Sequence, residues 1–179
     1  MALTKQLILT LFKELNVELE KLDTRADLFV IGGTAMVVAY DARPATKDID
    51  GIWQPTEPIR ELIKKISKKY DIEQDWLNDA AKGFISHIKD ENPVVIFDGT
   101  FLSVSAPSPQ YLLATKILSS RPDRDEPDIE LLIRLCEFTT VDECLDVVEK
   151  YFPNRPIVAR SQFTVEEILA SMSKKPETH

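Results

Sequence analysis

Cysteine, histidine and glycine are all scarce in this chain of 179 residues. The two cysteines, Cys136 and Cys144, lie on a stretch with helical periodicity and read as reduced core thiols. The two histidines are His87, in an expected solvated loop, and His179. A Cys/His zinc site or a Ser–His–Asp relay would have at most one internal imidazole, which leaves little room for either. Long apolar runs are also missing. The longest, Leu28 to Tyr40, has 13 residues with two glycines inside it, too short to cross a bilayer. At the N-terminus, Leu3, Leu7, Ile8, Leu11, Phe12, Leu15, Leu19 and Leu22 recur at steps of three and four. That is an amphipathic helix rather than a secretion leader, so a cytoplasmic protein with no membrane partner is expected.

A basic surface is lacking too. Lysine and arginine number 22 against 30 acids, a net charge of −8, and no basic face stands out. Tight binding of duplex DNA is therefore not expected, although a local groove could hold a nucleic-acid end. Hydrophobic residues make up 44% of the chain. A chain of this length buries roughly 70% of its unfolded surface, so its core needs no metal or disulfide staple.

Average usage near 7% would give about a dozen glycines, yet the chain has five. Two of them, Gly32 and Gly33, are adjacent and directly follow the apolar run Leu28–Ile31, where the backbone needs room. Proline, by contrast, punctuates the periodic segments. The spacing predicts helices over 3–22, 33–41, 57–69, 75–82, 125–138, 141–151 and 164–172. Another helix opens at Pro109 behind a Ser108 cap. Thr140 with Glu143, and Thr164 with Glu167, have capping-box spacing. Strands are expected over 27–31 and 48–53, and on either side of the Asp98-Gly99 hairpin turn. The expected architecture is α+β: a small mixed β-sheet with flanking helices over 1–107, then a helical portion over 108–172 packed on it. A polar, disordered tail is expected over 173–179.

The informative stretch is Val30-Ile-Gly-Gly-Thr-Ala, followed by Arg43-Pro-Ala-Thr-Lys-Asp48-Ile-Asp50. Side chains two apart on a strand share a face, so Asp48 and Asp50 project together, about 6.6 Å apart along the backbone. Paired carboxylates repel unless a cation lies between them, and hard divalent ions take such oxygen ligands. The glycines and the helix behind them offer backbone N–H groups to an anion. Phosphate on one side and metal-binding carboxylates on the other describe a nucleoside triphosphate site. Taken singly, the glycine pair can be a plain turn and the aspartates solvated edge polarity. Trp53 and Trp76 read as packing residues, with Trp53 close to the aspartate pair.

Ile31-Gly32-Gly33, a short helix and Asp48-Ile-Asp50 together resemble the signature of the nucleotidyltransferase superfamily typified by DNA polymerase β. Arg43-x-x-Thr46-x-Asp48 is similar to the version found in AbiEii-like nucleotidyltransferases of toxin–antitoxin systems and in uncharacterised bacterial relatives. The later stretch Ser108-Pro-Gln-Tyr-Leu-Leu-Ala-Thr-Lys116, Arg121 and Asp128-Ile-Glu-Leu-Leu resembles that branch's second block. Trp76-Leu-Asn-Asp-Ala-Ala-Lys-Gly-Phe84 looks like a segment common among those relatives, but no mechanism follows from it.

By this resemblance Asp48 and Asp50 would ligate Mg²⁺ or Mn²⁺, and Gly32, Gly33 and the Thr34 hydroxyl would hold the triphosphate, with Arg43 and Thr46 nearby. Lys116 would be a point charge on the phosphates and Asp128 a carboxylate of the second block. The implied partners are an NTP, an RNA or protein acceptor and an antitoxin-like protein. Two departures stand out. Superfamily polymerases carry a third carboxylate on a neighbouring strand, whereas Asp98 here is better explained by turn chemistry. The second block reads Leu131 where the branch has an aspartate. A catalytically silent member that binds nucleotide or a protein partner is therefore the second reading. A dinucleotide-binding domain is the third, and it fails on glycine spacing and on the missing strand–helix repeats.

Overall fold

The computed structural model describes residues 2–119 and 122–174. Contacts divide the chain into two units, Met1–Phe84 with Asn92–Pro107, and Ile85–Glu91 with Ser108–His179.

The first unit holds β1 (Leu3–Thr4), α1 (Lys5–Lys21), β2 (Ala26–Val30), α2 (Gly32–Val38), β3 (Ala45–Thr46) and β4 (Ile49–Gln54). These are followed by α3 (Thr56–Tyr70), β5 (Leu77–Asn78), a 3-10 turn (Ala80–Phe84), β6 (Val94–Asp98) and β7 (Leu102–Ala106). Five strands form one mixed sheet in the order β5-β4-β2-β7-β6. β2 runs antiparallel to β4 and parallel to β7, and β5 runs parallel to β4.

Alternation sorts the two faces of that sheet. Ala26, Leu28, Val30, Ile49, Leu102, Val104 and Ala106 are buried on one of them. α1 and α3 pack against this face and each other with Ile8, Leu11, Phe12, Leu15, Ile59 and Ile63 buried. Full burial of one such side chain contributes roughly 1.5–3 kcal/mol before chain entropy is subtracted. Phe29, Asp50, Ile52, Ser103 and Ser105 take the opposite face, where all are half-buried. The small pair β1–β3 matches Leu3 with Thr46 and so anchors the loop ahead of β4.

The second unit holds α4 (Pro109–Ser119), α5 (Pro122–Cys136), α6 (Val141–Tyr151) and α7 (Ala159–Lys174). α4 packs against each of the other three. The buried Asp90 carboxylate accepts from the Ser108 amide at 2.6 Å and hydroxyl at 2.8 Å, holding the start of α4. The Thr140–Glu143 capping box is present at α6. No helix among the described residues is long and apolar enough to cross a membrane.

Three expectations are corrected. Residues 75–82 are not helix but strand β5 and a 3-10 turn, because tertiary partners capture them. Ile49 donates to the Trp76 carbonyl at 2.7 Å, and the Trp76 indole donates to the Ile63 carbonyl at 3.1 Å. Thr164 does not cap a helix. It lies inside α7 with its hydroxyl bonded to the Arg160 carbonyl at 3.1 Å. Residues 3–4 are strand, and Thr4 caps α1 by accepting from the Leu7 amide at 3.3 Å. Of the tail expected over 173–179, α7 reaches Lys174, and residues 175–179 lie outside the described residues, as does Arg121.

Candidate active site

The strand β2 ends where Ile31 donates to the Asp50 carbonyl at 2.9 Å. Gly32 then turns the chain with φ +62, a conformation that costs other residues steric strain. A Cβ built on Gly32 would lie 3.6 Å from Asp50 Oδ2, so that carboxylate lies over the turn. A Cβ on Gly33 would stand 2.7 Å from Thr46 Oγ1. Thr34 is buried and its hydroxyl donates to the Asp48 carbonyl at 3.1 Å. Three consecutive turn residues thus each meet one member of the alternating set Thr46, Asp48 and Asp50. Arg43 lies two residues before β3 and is half-buried. Asn78 Nδ2 lies 3.5 Å from Asp48 Oδ2.

The register also places what does not join the site. Trp53 pairs with Leu28 and so shares the helix-covered face, on the opposite side of β4 from Asp50. Asp98 lies on β6, three strands from β4, which is about 14 Å at the usual strand spacing. It enters the hairpin turn closed by the Gly99 amide and the Leu102 carbonyl at 2.8 Å. Ser103 and Ser105 are the β7 residues on the carboxylate face. Among the described residues, no cluster of three or more His, Cys, Asp or Glu side chains is assembled for a metal.

The second unit brings together Lys116 and Asp128 and adds a residue the sequence reading missed, Asp125. Lys116 Nζ lies 2.6 Å from Asp125 Oδ1 and 2.7 Å from Asp128 Oδ2, and all three side chains are buried. The signal was available: Asp125 and Asp128 are three apart and share one face of α5. Cys144 is buried, as expected of a core thiol, whereas Cys136 is only half-buried. Burial pushes Cys136 up to about 11 and Cys144 up to about 12, so neither is a thiolate nucleophile at neutral pH.

Residues 6–162 match the family described as nucleotidyltransferase of unknown function (DUF6036). The chain belongs to that family. Among solved structures, it is similar to an antigenic nucleotidyltransferase-like protein from Paracoccidioides brasiliensis, at 17% identity and a TM-score of 0.46. That likeness covers 92% of this chain and 95% of the other. No curated protein matches the sequence. As a DUF6036 member the chain has a general nucleotidyltransferase character. The antiparallel pairing of β2 with β4 agrees in setting aside a dinucleotide-binding unit, which needs parallel strands about its glycine turn.

Proposed function

We propose that this DUF6036 protein moves a nucleoside monophosphate from an NTP to a hydroxyl on RNA or protein, with Mg²⁺ or Mn²⁺ at Asp48 and Asp50. The observation that carries this reading is the contact of Gly32, Gly33 and Thr34 with Asp50, Thr46 and Asp48. It sets a side-chain-free backbone turn against the Asp50 carboxylate, with the backbone of Asp48 tied to the helix that follows the turn. An all-oxygen donor pair of this kind suits a hard divalent cation. When bound, the ion would neutralise phosphate charge and orient the reacting oxygens.

The chain's own residues do the positioning. Gly32 and Gly33 let a triphosphate approach the backbone, with Arg43 and Thr46 beside that approach. The Thr34 hydroxyl ties α2 to the Asp48 backbone carbonyl and so fixes the start of β4 beside the turn. In the second unit the motif resemblance alone implies a phosphate role for Lys116, whose charge there is taken up by Asp125 and Asp128. A toxin-like role with an antitoxin-like partner extends the reading on the motif resemblance alone.

The test is incubation of the full chain with each α-³²P NTP, Mg²⁺ or Mn²⁺, and total RNA or lysate. Label on an RNA or protein band that Asp48→Asn and Asp50→Asn abolish supports the reading, while no transfer by wild type defeats it. A silent nucleotide-binding or partner-binding protein is the second reading. It is favoured by serines rather than a carboxylate on β7. Metal-dependent NTP binding without transfer would establish its nucleotide-binding form.

A further inference from the structure

The segment Trp76–Phe84 carries no part of the reading above, yet its first residues run beside β4. β5 lies parallel to β4 with Leu77 opposite Ile49 and Asn78 opposite Asp50, so Asn78 shares the carboxylate face. The two-residue strand is tied at the Trp76 carbonyl and indole by the bonds to Ile49 and Ile63. The Asn78 carboxamide is itself oriented. Its Oδ1 accepts from the Ala80 amide at 2.9 Å, which turns Nδ2 toward the Asp75 carbonyl at 3.4 Å and Asp48 Oδ2 at 3.5 Å. A group that points a fixed donor at one carboxylate, and stands in register with the other, is placed to orient the pair.

We propose that Asn78 is a positioning residue for Asp48, the neutral third member of the Asp48–Asp50 cation site. The inference rests on the metal-binding reading of that pair. It gives Trp76 and Leu77 a purpose as well: they hold the two-residue strand that presents the amide.

The experiment is a Mn²⁺ titration of the full chain followed by electron paramagnetic resonance, with wild type, Asn78→Ala, Asn78→Asp and Asp50→Asn. Circular dichroism melts report folding alongside. Asp50→Asn is expected to lose Mn²⁺ binding. Asn78→Ala is expected to weaken it about 10-fold, the usual cost of removing a group that orients a metal ligand. Asn78→Asp keeps the acceptor for Ala80 but replaces the donor toward Asp48 with a like charge that pushes that carboxylate away, so it too is expected to weaken binding. A role confined to the Ala80 turn would leave Asn78→Asp at wild-type affinity. Wild-type affinity in folded Asn78→Ala, or wild-type or tighter affinity in Asn78→Asp, overturns the proposal. If Asn78→Ala does not fold, Asn78→Asp decides. Failure of wild type to bind Mn²⁺, or binding indifferent to Asp50→Asn, defeats the metal reading and the proposal with it. Sensitivity to Asp50→Asn alone defeats only the role of Asn78.

Discussion

Gly33 leaves no room for a side chain beside Thr46: a Cβ there would stand 2.7 Å from the Thr46 hydroxyl oxygen. Gly32, one residue earlier, is needed for a different reason, its left-handed φ of +62. One glycine is demanded by a neighbour and the other by the backbone. Only the neighbour-imposed demand can be relieved by changing the neighbour.

Gly33→Ala is expected to destabilise the fold by about 1–3 kcal/mol, the usual range for forcing atoms into a packed position. Thr46→Ala removes the crowded oxygen. The double variant Gly33→Ala/Thr46→Ala should therefore recover part of the loss, with a coupling of roughly 1 kcal/mol. Urea unfolding of the four proteins in the cycle measures it, and strict additivity would show that the contact is not the cause. The same cycle with Gly32→Ala should show no such rescue.

On the proposed reading, Asp50→Asn is expected to lower Mg²⁺-dependent label transfer by roughly 100-fold or more, since a carboxylate ligand of the cation that would neutralise the phosphate is lost. Asp48→Asn should act in the same direction. Neither carboxylate is buried in the core, so thermal melts should stay close to wild type. A variant that melts normally and still transfers label would remove Asp50 from the site.

Lys116→Met would leave Asp125 and Asp128 buried with the lysine charge between them gone. Breaking a buried ion cluster in this way costs about 3–5 kcal/mol. The triple change Lys116→Met/Asp125→Asn/Asp128→Asn also removes the two buried negative charges and should regain much of that loss. Denaturant unfolding distinguishes the two. Equal stability of the single and triple variants would argue that lost packing by the lysine stem, rather than charge, sets the cost.

Glu18 on α1 is buried between Lys21 at 2.7 Å and Lys65 on α3. Hydrogen bonds from Lys21 and then Lys65 outweigh burial and hold its carboxyl below the ordinary value of 4.5. A lowered folded-state value means that the unfolded chain binds the proton more readily. The contribution of Glu18 is therefore present in full above about pH 5 and is lost as pH falls through 4.5 and then through the folded value. Glu18→Gln should be less stable than wild type at pH 7, and the gap should close toward pH 3. Both lysines are exposed, so added salt should narrow the gap at pH 7. A gap that stays constant between pH 7 and pH 3 would show that the carboxylate's charge is not responsible.

Much of this organisation is legible along the chain. Alternation about Asp48 and Asp50 predicts a shared face, and the strand itself begins one residue later than expected, at Ile49. The adjacency of Gly32 and Gly33 marks where backbone must come close to something. Thr140 and Glu143 announce the start of α6 because their bonds close within one turn. These are local rules, with cause and effect only a few residues apart.

What stayed hidden depends on partners distant in sequence. Residues 77–78 become a strand because β4 and α3 bind the backbone and indole of Trp76, and a helical spacing of apolar residues cannot report those partners. Trp53 was near the aspartates in sequence, but its pairing with Leu28 sends it to the other face. Asp125 acquired meaning only when α4 brought Lys116 against it.

By itself, then, the sequence determined the type of most elements and the place of the glycine turn. Those follow from backbone periodicity and from the steric freedom of glycine. Only the tertiary structure decided which glycine meets Thr46, which residue reaches Asp48 from β5, and which carboxylates enclose Lys116. Strand register and helix packing are set by the burial of whole faces, and no short window of sequence contains both sides of such a contact.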